Sequence, residues 1–288
     1  VVQWRHASRR DALGSEECKG RSPDPTRLTK ASWSHNFSRR SLYYRVGPMA
    51  CRLCLQDKHL KNSHIIPKWC FRLFWDNGKC LLSRYDEDPS EKVIQGGLKE
   101  QLLCQECEEL FCTWELHAKE RFFRRSQTDR QGGEEAVIVS GLDYAKFKLF
   151  QLSVLWRAGV STLPFFASVQ LGQHQEKLRN LLVSSNPSKP SDYGCIMSLF
   201  RFSEIDKAKP EHLILPLCAM NIDGFRIYRF VMAGAGWLYV VTSHNSQFKW
   251  KHHFVDQKGT LKLPIRDYEK TGFFQKLVRE YIQSRSAK

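Results

Sequence analysis

The chain of 288 residues lacks two features that would place it in or across a membrane. No run of about 18 or more apolar residues occurs, so no transmembrane helix is expected. The start has no apolar segment followed by small residues, so no secretory signal is expected. These absences predict a cytoplasmic protein, in whose reducing compartment closely spaced cysteines indicate a metal site more often than a disulfide.

Acidic residues are scarce relative to basic ones, 30 against 45, which gives a net charge of +15. This excess favours a polyanionic partner, nucleic acid before a membrane, although a solvated basic face would also explain it. Residues 1–48 hold ten basic and four acidic residues with no apolar periodicity. We interpret them as a basic extension, disordered or not native to the protein; an arm that lies along nucleic acid is the alternative.

Ten cysteines are present, and four of them form two Cys-x-x-Cys pairs, Cys51/Cys54 and Cys104/Cys107. Each pair can deliver two thiolates from one tight turn, which is the spacing of a closed tetrahedral zinc site. The two pairs therefore predict a structural Zn²⁺ bound by four cysteines.

The residues between the pairs predict a small finger within residues 49–130. Ser63–Ile66 is predicted to form a short strand that ends at Pro67, which lacks an amide donor. A second strand is predicted at residues 80–82, after the turn signal Asn77-Gly78, and a helix from Leu102 to Phe123. The order strand, strand, helix is that of a ββα finger.

The residues Cys51/Cys54, Ser63-His64-Ile65-Ile66-Pro67 and Leu103-Cys104/Cys107-Glu108 resemble the HNH endonuclease family. The match spans residues 51–108. Each of the three motifs alone is a weak indication of the family, but the three together in this order are specific for it. Residues 97–104 and 141–152 also resemble a group of uncharacterised bacterial HNH-type proteins.

The resemblance implies hydrolysis of DNA phosphodiester bonds with one divalent metal, Mg²⁺ or Mn²⁺, and His64 as the general base. Histidine suits this role because it titrates near neutral pH. A His64 that caps the strand or neighbours the zinc site is the alternative.

The resemblance also points to the residues that would hold the catalytic metal. Ser63 stands where the family has Asp or His, and Glu108 where it has a final His. Lys99 falls near the family's Asn, and Glu100 beside it is a substitute ligand. Negative charge at the start of a helix is the alternative explanation for the two glutamates.

Basic residues near the finger are candidates for contacts with nucleic acid, or else belong to a solvated helix end. The candidates are Lys68, Lys119, Arg121, Arg124 and Arg125. DNA is the expected partner, ahead of RNA. The other cysteines of the body are expected to be core thiols, namely Cys70, Cys80, Cys112, Cys195 and Cys218.

Residues 134–288, after a boundary at 131–133, predict a second domain that binds substrate or a partner, either another protein or a second copy of the chain. Helices are expected at 142–160, 171–183 and 270–285. Strands are expected at 195–202, 213–219, 225–231 and 237–242, with turns at 223–224 and 233–236. The predicted fold class is α+β, a zinc-stapled ββα finger followed by an antiparallel sheet packed with helices.

Two functions follow from these observations. The first is a metal-dependent endonuclease of the HNH type. The second is a catalytically degenerate, zinc-stapled module that binds nucleic acid or protein without cutting. Beyond these two, a third alternative is a toxin- or defence-type effector, for example in phage defence, that stays silent until a partner or an invader signal arrives.

Overall fold

The computed structural model describes residues 50–72, 97–123, 136–201, 214–242, 248–267 and 270. Several predictions lie outside these residues: the basic extension, the turn and strand at 77–82, the boundary at 131–133, and all but the first residue of the C-terminal helix. The described part is a mixed α+β structure with one large sheet, one small sheet and several helices.

The described residues form four α-helices and eight strands. The helices are α1 Lys68–Arg72, α2 Gln105–His117, α3 Tyr144–Val160 and α4 Gln173–Val183. A π-helical turn, Ala118–Phe123, continues α2. The strands are β1 Leu60–His64, β2 Lys99–Cys104, β3 Ala136–Val139, β4 Cys195–Arg201, β5 Leu215–Ile222, β6 Phe225–Met232, β7 Ala235–Val240 and β8 Leu261–Asp267. Among these residues, no helix is long and apolar enough to cross a membrane.

The small sheet is an antiparallel pair of β1 and β2, with Leu60 opposite Cys104 and His64 opposite Lys99. Helix α2 begins directly after β2. The prediction of a helix from Leu102 was wrong at its start, because Lys99–Cys104 pairs with β1 instead. Strand β1 also begins earlier and ends two residues sooner than predicted, and the pairing is continued by the Ile65 amide, which donates to the Leu98 carbonyl at 3.0 Å.

The large sheet has the strand order β3-β8-β4-β7-β6-β5. The pair β4 and β8 is parallel, so the sheet is mixed and not antiparallel as predicted. Strand β8 pairs with β3 through Leu261–Pro264 and with β4 from Ile265 onward. Pro264, which has no N–H to donate, thus lies where β8 changes partner.

The hairpin turn predicted at 223–224 is confirmed, and the one predicted at 233–236 is shorter, at 233–234, because Ala235 and Gly236 already belong to β7. Asp223 and Gly224 have φ of 50° and 80°, and Ala233 and Gly234 have φ of 52° and 73°. Positive φ at both central residues is the signature of a two-residue turn whose twist matches that of the flanking strands.

Helix α3 is the centre of the molecule, and twelve of its residues are buried. Asp143 caps its start by accepting a hydrogen bond from the Lys146 amide at 3.0 Å. Apolar residues of α2, α3 and the large sheet pack into a single cluster that includes the cysteines of the first segment. Phe111 of α2 packs edge to face on Trp156 of α3, with ring centroids 6.2 Å apart. One core therefore joins the segments on the two sides of residue 130.

Candidate metal centre

The first cysteine pair lies in a tight turn that is held by main-chain hydrogen bonds. The Leu55 amide donates to the Cys51 carbonyl, and the Cys51 amide donates to the Gln56 carbonyl, each at 2.9 Å. The Arg52 amide donates to the Leu102 carbonyl at 3.0 Å, which fixes the turn against β2. This turn presents the two sulfur atoms toward the start of α2.

The second pair spans the junction of β2 and α2. Cys104 is the N-cap residue of α2, and Cys107 lies in its first turn. Unpaired amides and the helix dipole make this end favourable for thiolates. The Cys104 amide donates to the Cys51 sulfur at 3.3 Å, so the two pairs already contact each other.

All four sulfur atoms lie within 4.8 Å of one another, and those of Cys54 and Cys104 are 3.8 Å apart. A tetrahedral zinc with Zn–S bonds of about 2.3 Å requires sulfur atoms about 3.8 Å apart. A hydrogen bond from Cys107 lowers the pKa of Cys51 to about 4, and the same bond raises the pKa of Cys107. The cluster can hold a metal ion such as zinc.

His64 is the last residue of β1, and its side chain is half-buried. Its carbonyl accepts a hydrogen bond of 2.6 Å from Nη1 of Arg157 on α3. Gly97, with φ of 83°, faces the imidazole: a Cβ there would lie 3.2 Å from Cδ2 of His64 and 3.0 Å from the Phe71 ring. The ring of His64 is therefore packed closely, while the next two residues, Ile65 and Ile66, are fully buried.

Ser63 and Glu108, two of the candidate ligands, lie close enough for the Ser63 hydroxyl to lower the pKa of Glu108, against a larger increase from burial. The Ser63 hydroxyl is fully buried; it donates a hydrogen bond to the Lys61 carbonyl at 3.4 Å and accepts one from the Leu103 amide at 3.1 Å. Burial raises the pKa of Glu108. One of its oxygens, Oε1, is buried and has no hydrogen-bond partner. The structure therefore brings together the residue before His64 and the residue after the last cysteine.

Glu100 has a different environment from that of Glu108. Its carboxylate accepts hydrogen bonds from the Ser161 hydroxyl at 2.8 Å and from the Thr162 hydroxyl at 2.7 Å. The Thr162 amide donates to the same carboxylate at 3.0 Å. Both oxygens are thus occupied by the residues that follow α3, and Glu100 ties β2 to the end of that helix.

Arg157 is a site residue that the sequence analysis missed. It is 1% exposed, although an arginine rarely lies in a core unless it is paired. Its guanidinium donates to the His64 carbonyl, forms an ion pair of 2.7 Å with Glu115, and lies 5.4 Å from the centre of the Phe111 ring. The sequence did contain an indication of this role: Arg157 lies on a helix that is apolar nearly all round, and a charge buried on such a helix requires a partner.

The predicted basic residues differ in exposure. Lys68, at the start of α1, and Arg121, in the π-helical turn, are exposed, and Lys119 is half-buried. Arg124 and Arg125 lie outside the described residues. Lys99, which falls near the family's Asn, is exposed and directly opposite His64 in the small sheet. The cation nearest to His64 in the strand register was thus missed as a candidate contact.

The other cysteines partly follow the prediction. Cys70 and Cys195 are buried thiols, as expected. Cys112 is instead half-buried and disulfide-bonded, so its prediction as a core thiol was wrong. Cys218 is half-buried, and Cys80 lies outside the described residues.

The chain was compared with models of protein families, with curated proteins and with solved structures, and none of the three comparisons gives a match. The function must therefore be argued from the residues of the site.

Proposed function

We propose that the protein is a metal-dependent endonuclease that hydrolyses phosphodiester bonds of DNA, with His64 as the general base. The observation that carries the proposal is the contact between Ser63 and Glu108 beside His64. In the resemblance stated above, these are the two positions that hold the catalytic metal. Their proximity in space, at positions directly before His64 and directly after the last cysteine of the cluster, supports the proposal.

Glu108 is the residue best suited to hold Mg²⁺ or Mn²⁺. Its buried Oε1 atom lacks a partner, and a buried polar atom without a partner is where an ion or a water is expected. Mg²⁺ usually keeps several waters and takes only one or two carboxylates from the protein, so Glu108 with waters fits such a site. Bound there, the ion would supply charge stabilisation to the phosphate and the leaving oxygen.

The remaining roles fall to residues around β1. His64 would accept a proton from the attacking water, because its half-buried ring lies beside the backbone of Gly97 and its carbonyl is held by Arg157. Lys99, opposite His64, would bind a phosphate of the substrate, and Lys68 and Arg121 would extend the contact along the DNA. The four cysteines would hold structural zinc and take no part in the reaction.

Nicking of supercoiled plasmid DNA with Mg²⁺ or Mn²⁺ tests the proposal. His64→Ala should lower the cleavage rate at least about a hundredfold, since a positioned general base contributes about 10²–10⁴-fold. His59→Ala is the matched control, because His59 is exposed and lies just before β1. Both variants should keep the zinc content and the melting temperature of the wild type.

Glu108→Gln tests the metal site separately. It keeps the shape of the side chain but removes the charge, so cleavage should fall and require more Mg²⁺ while the zinc content stays unchanged. Equal cleavage by wild type and His64→Ala would refute the assignment of the base.

A second candidate function is a zinc-stapled module that binds nucleic acid without cutting it. Two observations favour it: the Ser63 hydroxyl is fully buried, and both oxygens of Glu100 are occupied. Only Glu108 then remains as a ligand for a catalytic metal. DNA binding that weakens with salt, together with no cleavage under Mg²⁺, Mn²⁺, Co²⁺ or Ca²⁺, would select this function over the first.

A further inference from the structure

An open cleft of about 690 Å³ lies on the C-terminal half of the chain. It is bounded by the side of α4, by the loop of residues 184–194 that follows it, and by Thr242 just after β7. Its volume lies in the range of sites that bind small molecules or cofactors. We call it the lysine cleft.

Hydrogen-bond donors and cations dominate the described lining of the lysine cleft. The polar and charged lining residues are His174, Lys177, Asn180, Ser188, Lys189, Ser191, Asp192, Tyr193 and Thr242. Lys177 and Lys189 are both exposed. Most small-molecule pockets are lined mainly by apolar side chains. This polar, cationic lining instead suits an anionic, hydroxyl-bearing ligand.

Asp192, the one carboxylate in that lining, is already bonded within the loop. It accepts a hydrogen bond of 2.5 Å from the Ser188 hydroxyl and another from the Lys189 amide at 3.4 Å. The carboxylate thus shapes the loop from inside. Both bonds end on Oδ2, and no ion pair joins Asp192 to Lys177 or Lys189 among the described residues, so the two lysines keep their charge for a ligand.

The loop is anchored to the core at its middle and near its C-terminal end. The Tyr144 hydroxyl of α3 donates to the Ser188 carbonyl at 2.8 Å, and the buried Nζ atom of Lys148 donates to the Tyr193 carbonyl at 2.8 Å. His174 of α4 hydrogen-bonds the Tyr193 hydroxyl at 3.1 Å. These contacts hold the cleft wall in place before any ligand arrives, which lowers the entropic cost of binding.

The same loop contains unusual backbone conformations. Ser185, Ser188 and Tyr193 have φ of 50°, 59° and 50°, in the left-handed region that non-glycine residues rarely adopt. They are three of the six such residues in the described part of the chain. Such conformations persist only where the surrounding structure enforces them, and they concentrate at ligand sites.

We propose that the lysine cleft binds a phosphate ester of nucleotide size. Lys177 and Lys189 bind the phosphate as point charges, and the hydroxyl and amide groups of Asn180, Ser191 and Thr242 hydrogen-bond the sugar. The site is separate from the centre around His64 and does not require the nuclease. The phosphate can belong to a free nucleotide or to one unit of a nucleic-acid backbone.

Calorimetric titration with adenosine 5′-monophosphate, with adenosine, and with a single-stranded hexanucleotide tests the proposal. All titrations are run in a buffer without EDTA, so that the protein keeps its zinc. The buffer also lacks added divalent ions, so that no nucleic acid is cleaved during the measurement. Wild type should bind the monophosphate at least tenfold more tightly than adenosine. Lys177→Met/Lys189→Met should weaken monophosphate binding at least tenfold, since the variant removes both cations that contact the phosphate.

Lys258→Met/Lys262→Met is the matched control, because both lysines are exposed, lie outside the cleft lining, and remove the same charge. It should bind the monophosphate as the wild type does. A hexanucleotide that binds more tightly than the monophosphate, and loses this affinity in the cleft variant, identifies the backbone as the source of the phosphate.

Equal binding of adenosine and its monophosphate would overturn the proposal, and so would a cleft variant that binds both phosphate probes as the wild type does. If neither the monophosphate nor the hexanucleotide binds, the proposal is overturned as well. Melting temperatures of the variants verify that they are folded. A positive result would stand even if the chain cleaves no DNA.

Discussion

Five polar or charged residues are fully buried in the described part of the chain, and four of them lie on α3. They are Ser63, Lys148, Gln151, Ser153 and Arg157. A buried charge is costly unless it is paired, so these side chains restrict which elements can pack on α3. Lys148 holds the loop of the lysine cleft, and Arg157 holds the strand that ends at His64. One helix therefore supports both proposed sites.

Lys148 gives a prediction about pH. Burial lowers its pKa from 10.5 to about 8, because the charged ammonium loses its water. Between about pH 8 and 10.5 the unfolded chain binds a proton that the folded chain does not, so stability rises with pH in this window. The free energy of unfolding of wild type minus that of Lys148→Met should therefore rise by about 3 kcal/mol across the window and stay constant below it.

Urea unfolding at several pH values measures this difference. Gln151→Met is the matched control, because Gln151 is equally buried on the same helix and does not titrate. Its difference from the wild type should not change with pH. A flat profile for Lys148→Met would show that the ammonium keeps its ordinary pKa in the fold.

Helix α3 and strand β1 are joined through Arg157, and removing this side chain should destabilise the protein strongly. Arg157→Met removes the ion pair of Arg157 with Glu115 and its hydrogen bond to the His64 carbonyl. Loss of one partner of a buried ion pair typically costs about 3–5 kcal/mol. Chemical unfolding should show a loss of this size, with a smaller one for Arg157→Lys, which keeps the charge but not the planar fork.

Lys146→Met is the control on the same helix. Its ion pair with Asp143 is about half exposed, so its loss should cost only about 0–1 kcal/mol. If Arg157→Met cost no more than Lys146→Met, the buried arginine would not be what fixes β1 on α3.

The elements that the sequence predicts well are those with a local signal. Helix α3 shows an apolar pattern, and the hairpin turns contain Asp223-Gly224 and Gly234, residues that tolerate positive φ. Strands β3 and β8 were missed, since one has four residues and the other contains Pro264. The last three residues of strand β2 were predicted as the start of a helix, because the pairing of β2 with β1 is a long-range contact that periodicity does not record.

The same division holds for the site. The cysteine spacing predicts the cluster, because each Cys-x-x-Cys pair is a local motif. Two such pairs supply the four ligands of a tetrahedral metal site, and the four sulfur atoms do lie together. The contact of Arg157 with His64 joins residues 93 positions apart and depends on how α3 packs. The register that places Lys99 opposite His64 is set by the bulge and packing of the small sheet, which the sequence does not reveal.

On the scale of the whole molecule, the cysteine cluster belongs to the shared core. Cys51, Cys104 and Cys107 lie in the same buried cluster as Phe111 and Trp156. In a second contact between the two halves of the chain, Arg179 of α4 donates to the Leu53 carbonyl of the first cysteine turn at 2.7 Å. A change at the metal centre should therefore reach residues of the C-terminal half.

Loss of zinc should lower the stability of the whole described fold and not of the first segment alone. Cys104→Ser should reduce the zinc content from one ion per chain to none and lower the melting temperature by about 10 °C or more, given about 2–4 °C per kcal/mol for a chain of this size. Cys195→Ala is the control: Cys195 is a buried thiol of β4 outside the cluster, so this variant should leave the zinc content unchanged.

Calorimetry of Cys104→Ser should show one unfolding transition, since the core runs through both halves of the chain. Two transitions, of which only one depends on zinc, would mean that the halves unfold independently, as expected for the two separate domains predicted from the sequence.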